Sequence, residues 1–153
     1  MDFEAFWGQR FLLWDGGMGT MLQAAGMQGG EKPETWNLTH PDVVRSIHRA
    51  YLDAGSDMVT TNTFGATSLR FGAEVAEVIR AGVRLAREAV QEAGHGGVAF
   101  DMGPTGKLLA PYGELPFEEA VSAYREAASL GAQAGADCII IETIGDPYEM
   151  KAA

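Results

Sequence analysis

Cysteine is almost missing from this chain of 153 residues, which holds Cys138 and no other. A single thiol excludes an internal disulfide and any multi-cysteine metal site built by this chain alone. Histidine is scarce too, and His40, His48 and His95 are too far apart in sequence to show metal-ligand spacing. Basic residues are outnumbered, 11 against 21 acidic, for a formal charge of −10, and Arg45, Arg49, Arg80, Arg84 and Arg87 stand singly. With no basic patch, nucleic acid and anionic membrane are excluded as partners. Long apolar runs are lacking as well. The opening MDFEAFWGQR carries two acids and a base and reads as neither a secretory leader nor a membrane span. A cytoplasmic setting is therefore expected.

What is present, 46% hydrophobic and 21% charged residues, suits one ordinary globular core. Strand-like apolar runs start near Phe11, Asp57, Gly97 and Asp137, a recurrence of about 40 to 46 residues. Helical spacing fills the gaps. Val43, Ile47, Ala50, Tyr51 and Ala54 follow THPD, where Thr39 and Asp42 resemble a capping box. Val75, Val78, Ile79, Val83, Ala86, Ala89 and Val90 form a second pattern that Gly94 would stop, and Phe117, Ala120, Val121, Tyr124, Ala127 and Ala128 form a third. The segments AGSDMVTTNT and AGADCIIIET, at 54–63 and 134–143, match in placing a Gly after a helix and an Asp before a strand. Such a period signals repeated βαβ units around a parallel sheet. Strands are predicted near 11–15, 57–62, 97–101 and 138–142, parallel and adjacent in chain order. CIII reads as core, and Met18, Met21 and Met27 read as packing residues. A last helix is expected from Asp146 as N-cap through Pro147 and Glu149. It would be about two turns long, so residues 1–153 are expected to be a single domain of about four βα units that ends inside its fourth helix.

Each strand run ends in a polar residue: Asp15, Asn62, Asp101 or Glu142. Within FLLWDGGMGTML, the turn Asp15-Gly16-Gly17 has two readings. It is sound turn chemistry, because Asp bonds its own backbone and Gly reaches positive φ. It also sets a carboxylate beside bare backbone amides, which suits a zwitterion. Ligands of parallel α/β proteins bind at the C-terminal edge of the strands, and that edge is where these polar residues gather.

The stretches DGGMGTML (15–22), NLTHPDVVRSIHRAYLDAGSDMVTTNTFGAT (37–67), GPTG (103–106) and ADCIIIETIGD (136–146) together resemble the homocysteine S-methyltransferases. That family includes the N-terminal homocysteine-binding domain of cobalamin-dependent methionine synthase and the betaine-dependent enzymes. The resemblance implies the first half of a (β/α)8 TIM barrel and transfer of a methyl group to the thiolate of homocysteine, giving methionine. It further implies a zinc ion held by three cysteine thiolates from the second half of the barrel, ligands that this chain does not contain. The methyl donor stays open among methylcobalamin, betaine and S-methylmethionine, supplied by a donor domain or as a small molecule. By the same resemblance, Asp15 and Glu142 meet the substrate ammonium, and Gly16, Gly17 and Thr63 meet its carboxylate through backbone amides. Asn62, Gly103 and Thr105 are possible loop contacts. Asp101 departs from the pattern, which more often has a small residue there.

Cys138 shares a strand face with Ile140 and Glu142, but it sits four residues below Glu142, roughly 13 Å at about 3.3 Å per residue. It belongs to the barrel floor as a structural thiol. The alternative to an enzyme is a non-catalytic half-barrel that self-associates or pairs with a partner half, because an open sheet would leave its edges and residues such as Leu13, Met58 and Ile140 in water. A metal-free acid/base pair of Asp15 and Glu142 is a third reading, against which the four motifs speak. The 153-residue chain alone is expected to retain no stoichiometric zinc after chelator dialysis and to form no methionine from homocysteine. Metal analysis and a methyl-transfer assay check this, and a positive result in either would overturn the argument from missing thiolates.

Overall fold

The structure, a computed structural model, describes residues 11–153. The opening segment 1–10, read above as neither leader nor span, lies outside them. Three strands, β1 (Met58–Thr60), β2 (Gly97–Met102) and β3 (Cys138–Ile141), pair in parallel in the order β1-β2-β3. The first predicted strand adds to the β1 side as a single parallel bridge between Trp14 and Met58, extended by the bond from the Asp15 amide to the Met58 carbonyl at 3.0 Å. Thr61 and Glu142 prolong the outer strands, donating to the carbonyls of Ala99 and Met102 at 2.9 and 3.1 Å. All pairings are parallel and follow chain order, as the repeat requires.

The helices are α1 (Met18–Ala24), α2 (Trp36–Thr39), α3 (Pro41–Asp53), α4 (Ser68–Phe71), α5 (Val75–Ala93), α6 (Phe117–Gln133) and α7 (Pro147–Ala152). The long helices pack in sequence, α3 on α5, α5 on α6 and α6 on α7. Helices α5 and α6 bury their apolar faces against β2, every residue of which is buried. A smaller core joins α1, α2 and α3 through Leu22, Trp36, Val44 and Ile47. Gly131 permits the close approach of α6 to the sheet, since a Cβ there would lie 2.5 Å from the Phe100 ring.

The matching AGSD and AGAD segments have one physical job. Gly55 and Gly135 take φ of +103° and +99°, a left-handed turn that side chains resist and that ends α3 and α6. The Asp that follows then laces its strand to the previous one. The Asp57 amide donates to the Leu13 carbonyl at 2.7 Å while its Oδ2 accepts from the Leu13 amide at 3.0 Å. Asp137 repeats this on Val98, at 2.8 Å in both directions. The carboxylate thereby sets register at the start of each strand.

Four expectations need correction. No capping box forms at THPD: His40 occupies the N-cap position without a side-chain bond, and the Thr39 hydroxyl turns instead to His40 Nδ1 and the Thr35 carbonyl. Met58 is fully buried rather than wetted, while Leu13 is exposed. The run CIII of β3 is not core: β3 is the last strand of the described sheet, Cys138 and Ile140 are only half-buried, and Ile139 and Ile141 are 43% and 36% exposed. Of the three methionines, Met27 is buried but Met21 is exposed. The Asp146 cap does form, accepting from the Tyr148 amide at 2.8 Å. No described helix is long and apolar enough to cross a membrane.

Asp137 Oδ2 also receives Arg87 Nη2 at 3.0 Å. Replacing Asp137 by Ala strands the Val98 amide and leaves the guanidinium only its bond to the Gly135 carbonyl, and is expected to cost about 1–3 kcal/mol. Asp137→Asn, which keeps one acceptor, should cost less. Chemical denaturation of the two variants measures this, and an unchanged midpoint for the Ala variant would refute the register role.

Candidate functional site

Because the strands run parallel, their polar ends converge on one edge. Asp15, Gly16, Gly17, Thr60, Asp101 and Glu142 line a cleft of about 360 Å³ there, floored by Ile140. A second cleft of about 400 Å³ shares Gly17, Thr61, Asp101 and Glu142 with the first and continues to Glu34, Asn62, Phe64 and Arg70.

Asp15 is held rigidly. Its Oδ2 accepts from the Thr60 amide at 2.8 Å and its Oδ1 from the Thr60 hydroxyl at 2.7 Å. Burial pushes this carboxyl above the usual range; the Thr60 bonds oppose the rise and the charge of Glu142 adds to it. Gly16 has no room for a side chain, since a Cβ would sit 2.9 Å from the Tyr51 hydroxyl. Among the described residues, no hydrogen bond engages the amides of Gly16 and Gly17. Glu142, just past β3, is exposed at the rim.

The other expected contacts stand behind this wall. Thr63 is buried, its amide given to the Thr61 carbonyl at 2.8 Å and its hydroxyl to the Asp101 carbonyl at 2.9 Å. It holds β2 in place and lines neither cleft. Asn62 lines the second cleft, but its amide group is spent on the Pro33 carbonyl and Asn37 Oδ1, at 2.8 and 2.9 Å. These bonds dock the 3₁₀ turn Pro33–Thr35, and with it Glu34, onto the sheet edge. At Gly103 a Cβ would lie 2.5 Å from the Phe64 ring, so the glycine lets Phe64 form a wall of the second cleft. Thr105 is remote: its amide and hydroxyl both donate to Glu149 Oε1 at 2.7 Å, and the Tyr124 hydroxyl joins them at 3.0 Å. Glu149, expected as part of a helix cap, instead ties the third loop to α6 and α7. The burial of Tyr124 and its bond to Glu149 push its phenol further up.

Two lining residues, Glu34 and Arg70, escape motif reasoning, and Asp101 gains a role that its place at a strand end did not show. Glu34 is buried, with Oε1 accepting from the Gly65 amide at 2.6 Å and Oε2 unpartnered. Arg70 Nη1 lies 3.8 Å from Glu34 Oε1 and is the one cation among the described residues that line the two clefts. Asp101 is 5% exposed with Oδ1 unpartnered. Burial, then the charges of Glu142, Asp15 and Glu34, push its carboxyl up to about 8. The sequence placed Asp101 at a strand end, but only its surroundings distinguish it from a neutral core position.

A sequence profile described as homocysteine S-methyltransferase matches residues 12–153. The chain belongs to the homocysteine S-methyltransferase family. It is 39% identical over 162 residues to methionine synthase of Mycobacterium tuberculosis and 36% identical to that of Mycobacterium leprae. Each comparison covers 95% of this chain and 13% of the relative, so the chain spans a small part of those proteins. The crystal structure of the homocysteine methyltransferase MmuM from Escherichia coli in its metallated form superposes with a TM-score of 0.82 at 26% identity, covering 97% of this chain and 59% of MmuM. Its oxidised form gives 0.77 at 25% identity. The fold is thus α/β, a partial TIM-barrel-like arrangement.

Zinc does not fit the residues present. Among the described residues, no three His, Cys, Asp or Glu side chains gather as a metal site. Cys138 is a lone thiol, pushed up by burial and by Asp137.

The raised carboxyl of Asp101 has a consequence for stability. An acid whose folded pKa exceeds its unfolded value stabilises the fold at low pH and loses that contribution as pH rises, here from about 4 to about 8. Asp101→Asn is therefore expected to match the parent near pH 4 and to exceed it in stability by about 1 kcal/mol more per pH unit toward pH 7. Thermal melts across that range test this. A variant that is no more stable at pH 7 than at pH 4, relative to the parent, would contradict it.

Proposed function

We propose that this chain is the amino-acid-binding part of a homocysteine S-methyltransferase: the N-terminal half of a homocysteine-binding barrel, one domain over residues 1–153, that seats homocysteine for methylation of its sulfur. The observation that carries the reading is the convergence of Asp15 and Glu142 with the bare Gly16-Gly17 backbone on one cleft at the strand C-termini. Asp15 and Glu142 take the ammonium, as charge-assisted hydrogen bonds favour. The amides of Gly16 and Gly17 take the carboxylate. Thr63 acts on the site at one remove, by fixing β2.

With the amino-acid end so held, the side chain projects out of the cleft, where the sulfur, as thiolate, attacks the methyl carbon of the donor and the donor's bond to that carbon breaks. This chain's residues bind and orient; the described ones supply no ligand set for a metal. Family membership supports the substrate, and a donor domain or a small-molecule donor completes the reaction. The donor itself, methylcobalamin included, is not specified by any residue of the cleft.

Amide NMR titration of the chain with reduced L-homocysteine tests the reading. Saturable shifts are expected at Gly16, Gly17 and Thr60. Asp15→Asn should weaken binding by about 10- to 100-fold, the loss of a hydrogen bond to a charged group. Glu142→Gln, at the exposed rim, should weaken it by about tenfold or less. Absence of any shift would favour the non-catalytic half-barrel.

A further inference from the structure

The side chain of Asp101 has no structural employment. Its backbone is fixed without it: the Asp101 amide donates to the Thr61 hydroxyl at 3.1 Å, the Asp101 carbonyl accepts from Thr63 at 2.9 Å, and the two hydroxyls lie 2.6 Å apart. Among the described residues, neither carboxyl oxygen accepts a hydrogen bond, and Oδ1 is fully shielded from water. Yet the residue is 95% buried and lines both clefts. A buried polar group without a partner costs folding free energy, and functional sites are where such costs are tolerated.

The groups around Asp101 say what partner it lacks. Asp15 from the first strand segment, Glu142 beyond β3 and Glu34 from the 3₁₀ turn all raise its affinity for a proton. Arg70, from α4, is engaged with Glu34. A negative group would be repelled here, while a cation with hydrogen-bond donors would be drawn in. A primary ammonium presents three N–H donors, and three carboxyl groups, Asp15, Asp101 and Glu142, line the first cleft.

We propose that Asp101 is a substrate-binding residue, the third carboxyl group of an ammonium seat whose other two members are Asp15 and Glu142. The inference rests on the homocysteine reading above and adds a residue to it. It also implies proton traffic. The empty site keeps a proton on Asp101 at neutral pH, because burial and three neighbouring carboxylates disfavour a further negative charge. An entering ammonium supplies the missing positive charge, Asp101 gives its proton to solvent, and its carboxylate accepts an N–H of the substrate. Binding therefore releases a proton that the ammonium alone does not account for.

Calorimetric titration of the chain with reduced L-homocysteine at pH 7, in two buffers of different ionisation heat, measures that proton. The des-amino analogue 4-mercaptobutyrate serves as the control ligand. The parent chain should release more than half a proton per homocysteine bound, and none with the analogue. Asp101→Asn and Asp101→Ser, checked as folded by their melts, should release close to none and bind homocysteine at least about tenfold more weakly at pH 8, with unchanged affinity for the analogue. Equal weakening of both ligands would make Asp101 structural, and unaltered homocysteine binding with the same proton release would make it a bystander. Either result overturns this inference and leaves the homocysteine reading intact. No homocysteine binding by the parent chain overturns both.

Discussion

The grip of Thr60 on Asp15 is the contact on which the cleft depends. One residue supplies both an amide and a hydroxyl to one carboxylate, at 2.8 and 2.7 Å, so the chain before the Gly16-Gly17 turn is fixed to the C-terminal end of β1. Without that grip, the segment keeps its backbone bonds to Asp57 and Met58, and the turn itself keeps the Tyr51 hydroxyl on the Gly17 carbonyl at 3.3 Å. With it, the glycine amides, the Asp15 carboxylate and the ends of β2 and β3 face one volume. Parallel pairing does the rest, because it brings every strand end to the same edge.

Holding so many carboxyl groups together has an energetic consequence. Asp15 is satisfied by Thr60, whereas Asp101 is not satisfied by anything among the described residues, and burial and its acidic neighbours push its carboxyl up. An opposite burden lies on α3. His48 is fully buried, neither ring nitrogen has a partner among the described residues, and burial pushes its imidazole down from 6.5 to about 4. The unfolded chain takes up that proton as pH falls through 6.5 while the folded chain does not, so His48 withdraws stability on the acid side. Asp101 withdraws it on the basic side. The histidine lines neither cleft, whereas the aspartate lines both.

Much of the fold was legible because it repeats. Helical spacing located α3, α5 and α6, and the twin Gly-x-Asp segments marked helix ends and strand starts. Less legible were the short elements. Helices α1, α2 and α4 carry too few residues for periodicity; α1 and α2 are held by the core of Leu22, Trp36 and Ile47, and α4 by the burial of Phe71 in the main core beside α5 and α6. The missing capping box at THPD fails for a comparable reason: Thr39 belongs to α2, and its hydroxyl is drawn back to the Thr35 carbonyl one turn earlier. At the site, Asp15, Gly16, Gly17 and Glu142 were readable from strand ends and turn chemistry. Glu34 and Arg70 were not, since they reach the cleft through the Asn37–Asn62 amide pair and the bond from the Gly65 amide to Glu34.

By itself, then, the sequence determined the parallel order of the strands, the positions of their polar ends and the family, since all three follow from local spacing and motif. Only the tertiary structure decided which polar ends face the cleft and which brace it. Thr63 and Thr105 have the composition of binding residues, but their donors are consumed by Thr61, Asp101 and Glu149. Asp101 reads from sequence as a departure from pattern and emerges in three dimensions as a buried carboxyl with an open acceptor. The reason is physical: a side chain's hydrogen-bonding capacity is fixed by its chemistry, but what remains of it for a ligand is set by neighbours from other strands.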